Sequence, residues 1–115
     1  MRRDDLYVAD IYKAAAAIEL FLRDISQETF LLEKSDLIQS AVLQKLTIVG
    51  EAAARISDDL KTQSPDIPWR HIIGLRNIAV HAYFSIDWQI VWAAAEDDVP
   101  ELVTKLSTIR IFDES

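Results

Sequence analysis

The chain has 115 residues, half of them apolar, and carries 19 acidic against 12 basic side chains, for a formal net charge of −7. This length is enough for one hydrophobic core, so residues 1–115 are expected to form a single domain. The absence of cysteine excludes disulfides and thiolate metal sites. A sequence pI near 4.7 argues against broad, non-specific binding of nucleic acid, which needs clustered cations.

The N-terminal region predicts a first helix over residues 5–25. Its apolar side chains recur at three-and-four spacing, as expected for one buried face. Asp10, Lys13 and Glu19 interrupt the apolar run. We therefore expect neither a signal peptide nor a membrane span, and a soluble, cytoplasmic protein.

A second, long helix is predicted to begin at a cap formed by Ser35 or Asp36 and to continue to Leu60. Its apolar residues keep one face throughout this length. Gly50 lies in the middle, where glycine costs roughly 1 kcal/mol relative to alanine. A close crossing with another helix is the usual compensation, and we expect one here.

The segment from Thr62 to Pro68 predicts a break, because the residue before a proline avoids helical geometry. A third helix should follow from Trp69, a fourth after a cap at Ser85 or Asp87, and a fifth after a capping box. These elements are rich in apolar residues, and no strand-like alternation of useful length occurs. The predicted class is all-α with about five helices. The capping box is Asp98-Val-Pro-Glu101.

Residues 67–86 form a long stretch without a carboxylate, although they include both histidines of the chain. Arg76, Asn77, His81 and Tyr83 place a fixed cation, an amide, an imidazole and a phenol close together. Positions five apart on a regular helix differ by about 140°, so Arg76 and His81 would not share a face. Asn77, four residues before His81, is well placed to orient the imidazole.

Spacing alone leaves two interpretations of this stretch open. Arginine and histidine suit phosphoryl chemistry, since one stabilises phosphate charge and the other transfers a proton near neutral pH. The structural alternative is a salt link or a hydrogen-bonded histidine, and for His71 a surface or interface position is expected. Two histidines without nearby carboxylates make a poor metal site, and no Gly-x-Ser-x-Gly nucleophile signature is present.

The combined pattern resembles the HepT-like branch of the HEPN family. Residues 67–87 read Ile-Pro-Trp-Arg-x-Ile-x-Gly-x-Arg-Asn-x-x-x-His-x-Tyr-Phe-x-x-Asp, and Val-Pro-Glu-Leu follows at 99–102. Residues 49–57, Val-Gly-Glu-Ala-Ala-Ala-Arg-Ile-Ser, are similar to the second helix of that family. One departure is Ala82, where many relatives have glycine between the motif histidine and tyrosine.

The resemblance implies an all-helical HEPN bundle that forms a two-fold homodimer, with larger hetero-oligomers left open. It further implies a toxin ribonuclease that cuts RNA with Arg76, His81 and Asn77 and needs no metal or other cofactor. The implied partner is an MntA-like nucleotidyltransferase antitoxin, which places AMP on Tyr83 and neutralises the toxin. A catalytically idle HEPN module that scaffolds the nucleotidyltransferase is the competing expectation.

Overall fold

Three long helices frame the protein, whose computed structural model describes residues 2–82 and 87–109. They are α1 (Arg2–Leu22), α3 (Asp36–Arg55) and α5 (Trp69–Ala82). The shorter helices are α2 (Gln27–Phe30), α4 (Asp58–Gln63), α6 (Trp88–Ala93) and α7 (Val99–Leu106). Within the described ranges there is no strand, which confirms the all-α prediction.

The core lies where α1, α3, α5 and α7 meet. α3 packs against both α1 and α5, and α7 packs against α1. Most of the apolar positions predicted from helical spacing supply the buried side chains, because that spacing gathers them on one face of each helix. Leu6, Leu37 and Ile90, which fit the same spacing, are exposed. The largest fully buried ones include Ile11, Ile18, Val42, Leu46, Val49, Leu75, Val99 and Leu106.

The long second helix predicted from the sequence is wrong at its C-terminal end. α3 stops at Arg55, because Ile56 adopts an extended conformation with ψ of 141°. Ser57 then caps α4, and its hydroxyl oxygen accepts the Leu60 N–H at 3.2 Å. The Ser57 N–H and hydroxyl donate to Asp4 Oδ1 and Oδ2 at 2.9 and 2.6 Å. This bidentate contact holds the break against the start of α1.

The segment between α1 and α3 folds onto the core through Phe30. Phe30 is fully buried, and Gln39 on α3 donates from Nε2 to the Phe30 carbonyl at 2.7 Å. The predicted start of the second helix is confirmed, but Ser35 makes no side-chain cap bond. Its hydroxyl instead donates to the Thr29 carbonyl at 2.7 Å.

α6 and α7 are joined by a π-helical turn, Ala94–Asp98. Asp87 caps α6 by accepting the Gln89 N–H at 3.0 Å, which confirms one of its two predicted caps. The predicted capping box at Asp98 is wrong, since Asp98 is helical and makes no side-chain cap bond. The chain therefore passes from α6 to α7 without leaving helical geometry.

Trp69 and Trp92 are buried in the core, and Trp88 is partly buried against it. Trp92 is 6% exposed, and its ring centroid lies 5.3 Å from that of Phe30. Trp88 meets the same phenylalanine edge-on at 6.2 Å.

Among the described helices, none has the length and apolarity needed to cross a bilayer.

Candidate functional site

The site predicted from the sequence lies on α5, whose start is fixed by local contacts. Pro68 directly precedes the helix, where its missing N–H costs no intrahelical bond. Trp69 is buried and donates from Nε1 to the Ser64 carbonyl at 3.1 Å. Ile72 and Leu75 are each 2% exposed and anchor the helix to the core. The polar residues of α5 are thereby held on a firmly packed element.

Arg76 lies where α5 passes close to Gly50 of α3. A Cβ added to Gly50 would lie 2.5 Å from the Arg76 amide nitrogen and 2.8 Å from the Arg76 Cβ. Real Cβ atoms do not approach other atoms so closely, so the crossing depends on glycine. The close crossing expected at Gly50 is confirmed, and Arg76 is the residue that it brings next to α3.

Arg76 is half-buried and makes no ion pair with any residue in the described part of the chain. Asn77, the next residue, is exposed to solvent. An unpaired guanidinium beside an exposed amide offers several N–H donors to a bound anion. The structural alternative for Arg76, a salt link within the chain, has no support among the described residues.

The remaining motif residues are only partly covered by the structure. The His81 backbone belongs to α5, which ends one residue later at Ala82. The His81 side chain and the whole of Tyr83 lie outside the described residues. Because the backbone is helical from Arg76 to His81, these two positions are about 140° apart around α5. Asn77 and His81 are four residues apart, so their positions share a face.

The N-terminal half of α5 gains a carboxylate that the local sequence does not contain. His71 Nε2 lies 2.9 Å from Asp98 Oδ2 on the π-helical turn. The His71 side chain is 58% exposed, which agrees with the expected surface position. Arg70 is also exposed and has no ion-pair partner among the residues described. Asp98 therefore contacts His71, and neither Arg70 nor Arg76 has an ion-pair partner among the described residues.

Sequence reasoning missed Asp98 as a partner of His71. The sequence around Asp98 resembles a capping box with proline in the first turn, and this pattern predicts the start of a helix. The π-helical turn instead keeps Asp98 inside a continuous helical path. Because His71 and Asp98 are 27 residues apart, no local pattern could have paired them.

These features define an all-α bundle of the HEPN type with an Arg-x-x-x-x-His motif on a central helix. The family model described as "Ribonuclease HepT-like" matches residues 11–109. The chain therefore belongs to the HepT-like ribonuclease family.

Three curated relatives are similar to this chain over most of their own length. A protein named probable ribonuclease HepT from Thermococcus cleftensis is 39% identical over 90% of this chain and 93% of its own. The putative RNase MJ1380 of Methanocaldococcus jannaschii is 34% identical over the same shares. The putative RNase TTE0752 of Caldanaerobacter subterraneus is 28% identical over 76% of this chain and 77% of its own. No solved structure matches the chain.

Proposed function

We propose that this protein is an endoribonuclease that acts as the toxin of a toxin-antitoxin pair. The observation that carries the proposal is Arg76, a half-buried cation without an ion-pair partner in the described chain, on the motif helix of a HepT-like family member. Relatives named as ribonucleases support the same activity.

The proposed reaction is transesterification within the RNA strand. The ribose 2'-hydroxyl loses its proton and attacks the neighbouring phosphorus, and the bond to the 5'-oxygen of the next nucleotide breaks. The products are a 2',3'-cyclic phosphate and a 5'-hydroxyl. Arg76 stabilises charge on the phosphorane, His81 transfers protons, and Asn77 orients His81. The nucleophile belongs to the substrate, so the protein supplies only charge stabilisation and proton transfer.

A two-fold homodimer is part of the proposal. The reaction needs one base for the 2'-hydroxyl and one acid for the leaving oxygen, whereas each chain has one motif histidine. A two-fold axis places the same surface of both chains together, so paired α5 helices would contribute His81 twice to one cleft. Sedimentation of the purified protein should therefore give twice the mass of the chain.

Variants on α5 test the catalytic assignment. In buffer with EDTA, cleavage of end-labelled RNA should fall at least about a hundredfold in His81→Ala and in Arg76→Ala. The matched controls are His71→Ala on the same helix and Arg55→Ala at the end of α3, both expected to cut at the wild-type rate. Undiminished cleavage by a folded His81→Ala protein would remove His81 from the mechanism. Absence of cleavage in the wild type would favour the non-catalytic scaffold.

We further propose that a nucleotidyltransferase antitoxin of the MntA type neutralises the protein by placing AMP on Tyr83. An AMP group there adds bulk and negative charge two residues from His81, which would block the cleft and repel RNA phosphate. Incubation with the antitoxin, ATP and Mg²⁺ should add adenylyl mass to the wild type and to Tyr7→Phe. A mass gain that persists in Tyr83→Phe would place the modification elsewhere.

A further inference from the structure

The two glycines of the chain have opposite surroundings, although both lie inside long helices. A Cβ added to Gly74 on α5 would meet nothing within 4 Å. A Cβ added to Gly50 on α3 would lie 2.5, 2.8 and 3.1 Å from the N, Cβ and Cα atoms of Arg76. All three nearest atoms belong to Arg76, so the requirement for glycine at position 50 concerns that residue.

The conflict at Gly50 cannot be relieved by a change of rotamer. The N, Cα and Cβ atoms of Arg76 are fixed by the backbone of α5, unlike the far end of its side chain. Around the crossing, Val49, Ala53, Ile72 and Leu75 are all at most 2% exposed. Close-packed interiors transmit such a strain because they have no free volume to absorb it. A side chain at position 50 would therefore displace α5 at Arg76.

We propose that Gly50 is a positioning residue for Arg76. Because Gly50 has no side chain, α3 and α5 can lie close together at the backbone of Arg76. Gly50 touches no substrate and acts only through Arg76. This inference rests on the proposed ribonuclease function, in which Arg76 stabilises charge on the phosphorane.

The expected consequence is a loss of turnover. A misplacement of about 1 Å in a catalytic group can cost up to about a hundredfold in rate. We expect Gly50→Ala to lower kcat about tenfold to a hundredfold. KM should change far less, because an interaction made mainly in the transition state affects turnover rather than substrate binding.

The test is a double-mutant cycle made in the Gly74→Ala background. Alanine at position 74 favours the helix and meets no neighbouring atom, so it gives the fold a reserve of stability. The four proteins carry glycine or alanine at position 50 and arginine or alanine at position 76. Arg76→Ala keeps the N, Cα and Cβ atoms that conflict with a Cβ at position 50, so a general structural effect of Gly50→Ala is the same in both backgrounds.

A positioning role predicts strong non-additivity. Gly50→Ala should reduce cleavage when residue 76 is arginine and have no further effect when it is alanine. In amide NMR spectra, the Arg76 N–H resonance should shift in the Gly50→Ala protein. Equal fold-losses in both backgrounds would overturn the inference, as would wild-type kcat in the Gly50→Ala protein. Failure of the Gly50→Ala protein to fold in this background would also overturn it, since Gly50 would then serve the whole fold.

The amide resonance separates this inference from the proposed function. An Arg76 resonance that stays in place in Gly50→Ala overturns the positioning role, whatever the activity of Arg76→Ala. If Arg76→Ala cuts RNA at the reference rate, the proposed role of Arg76 in catalysis fails. A shifted Arg76 resonance in that case leaves the geometric link between the two residues intact.

Discussion

Asp4 is a carboxylate 4% exposed to solvent that ties the start of α1 to the start of α4. It accepts hydrogen bonds from both the N–H and the hydroxyl of Ser57. Removing it leaves two donors without their partner, and such a loss costs about 1–3 kcal/mol. We expect Asp4→Ala to lower the free energy of unfolding in urea by that amount.

Asp5 provides the matched control for Asp4. It is the neighbouring residue in the same first turn of α1, but it is exposed. Asp5→Ala should lose only a helix-dipole contribution of about 0.3–1 kcal/mol, which Asp4→Ala loses as well. The excess loss in Asp4→Ala should become smaller when Ser57→Ala is already present, because the hydroxyl bond is then absent. It should not vanish, because the backbone N–H of residue 57 still donates to Asp4. Equal losses for Asp4→Ala and Asp5→Ala would show that the contact with Ser57 does not stabilise the fold.

Residue identities on α5 were predictable only in part. The motif gave Arg76 and Asn77 as candidates, and the apolar composition of the helix indicated burial, which Ile72 and Leu75 show. The contact of Arg76 with α3 could not be predicted from the sequence, because Gly50 lies on a different element. A glycine in a helix signals a crossing without naming the residue that crosses it.

At the scale of elements, the same limit explains the errors in helix boundaries. Apolar spacing continues through Ile56 to Leu60, so periodicity alone predicts one uninterrupted helix. The break is held by Asp4, which is 53 residues from Ser57 in sequence. The π-helical turn before α7 was likewise missed because proline in the first turn is compatible with both a new helix and a continuing one.

α5 contains a glycine that no packing contact within the described chain requires. Gly74 lies inside the helix, and an added Cβ would have open space around it. Replacing an interior helical glycine by alanine raises the free energy of unfolding by about 0.8–1.0 kcal/mol. We expect Gly74→Ala to raise Tm by roughly 3–6 °C for a chain of this size. Both melts should be recorded at one protein concentration, and an unchanged or lower Tm would contradict the prediction.

At the scale of the whole molecule, an acidic protein is proposed to act on an acidic polymer. The net charge of −7 opposes RNA at long range, while Arg70 and Arg76 on α5 have no ion-pair partner in the described chain. Phosphates that reach this helix should therefore meet two available cations. Salt has two opposing effects here, since it weakens those few contacts and also screens the general repulsion.

Binding of single-stranded RNA should consequently depend only weakly on salt. Each phosphate contact contributes a slope of about −0.7 to the logarithm of the association constant against that of salt concentration. Binding is measured in the His81→Ala background, so that the RNA is not cleaved. Adding Arg70→Ala should make the slope shallower by about 0.7 for each Arg70 that contacts a phosphate. Arg55→Ala removes the same charge from an exposed site on α3 and should leave the slope unchanged. If both variants shift the slope equally, RNA responds to the total charge of the protein and not to the exposed face of α5.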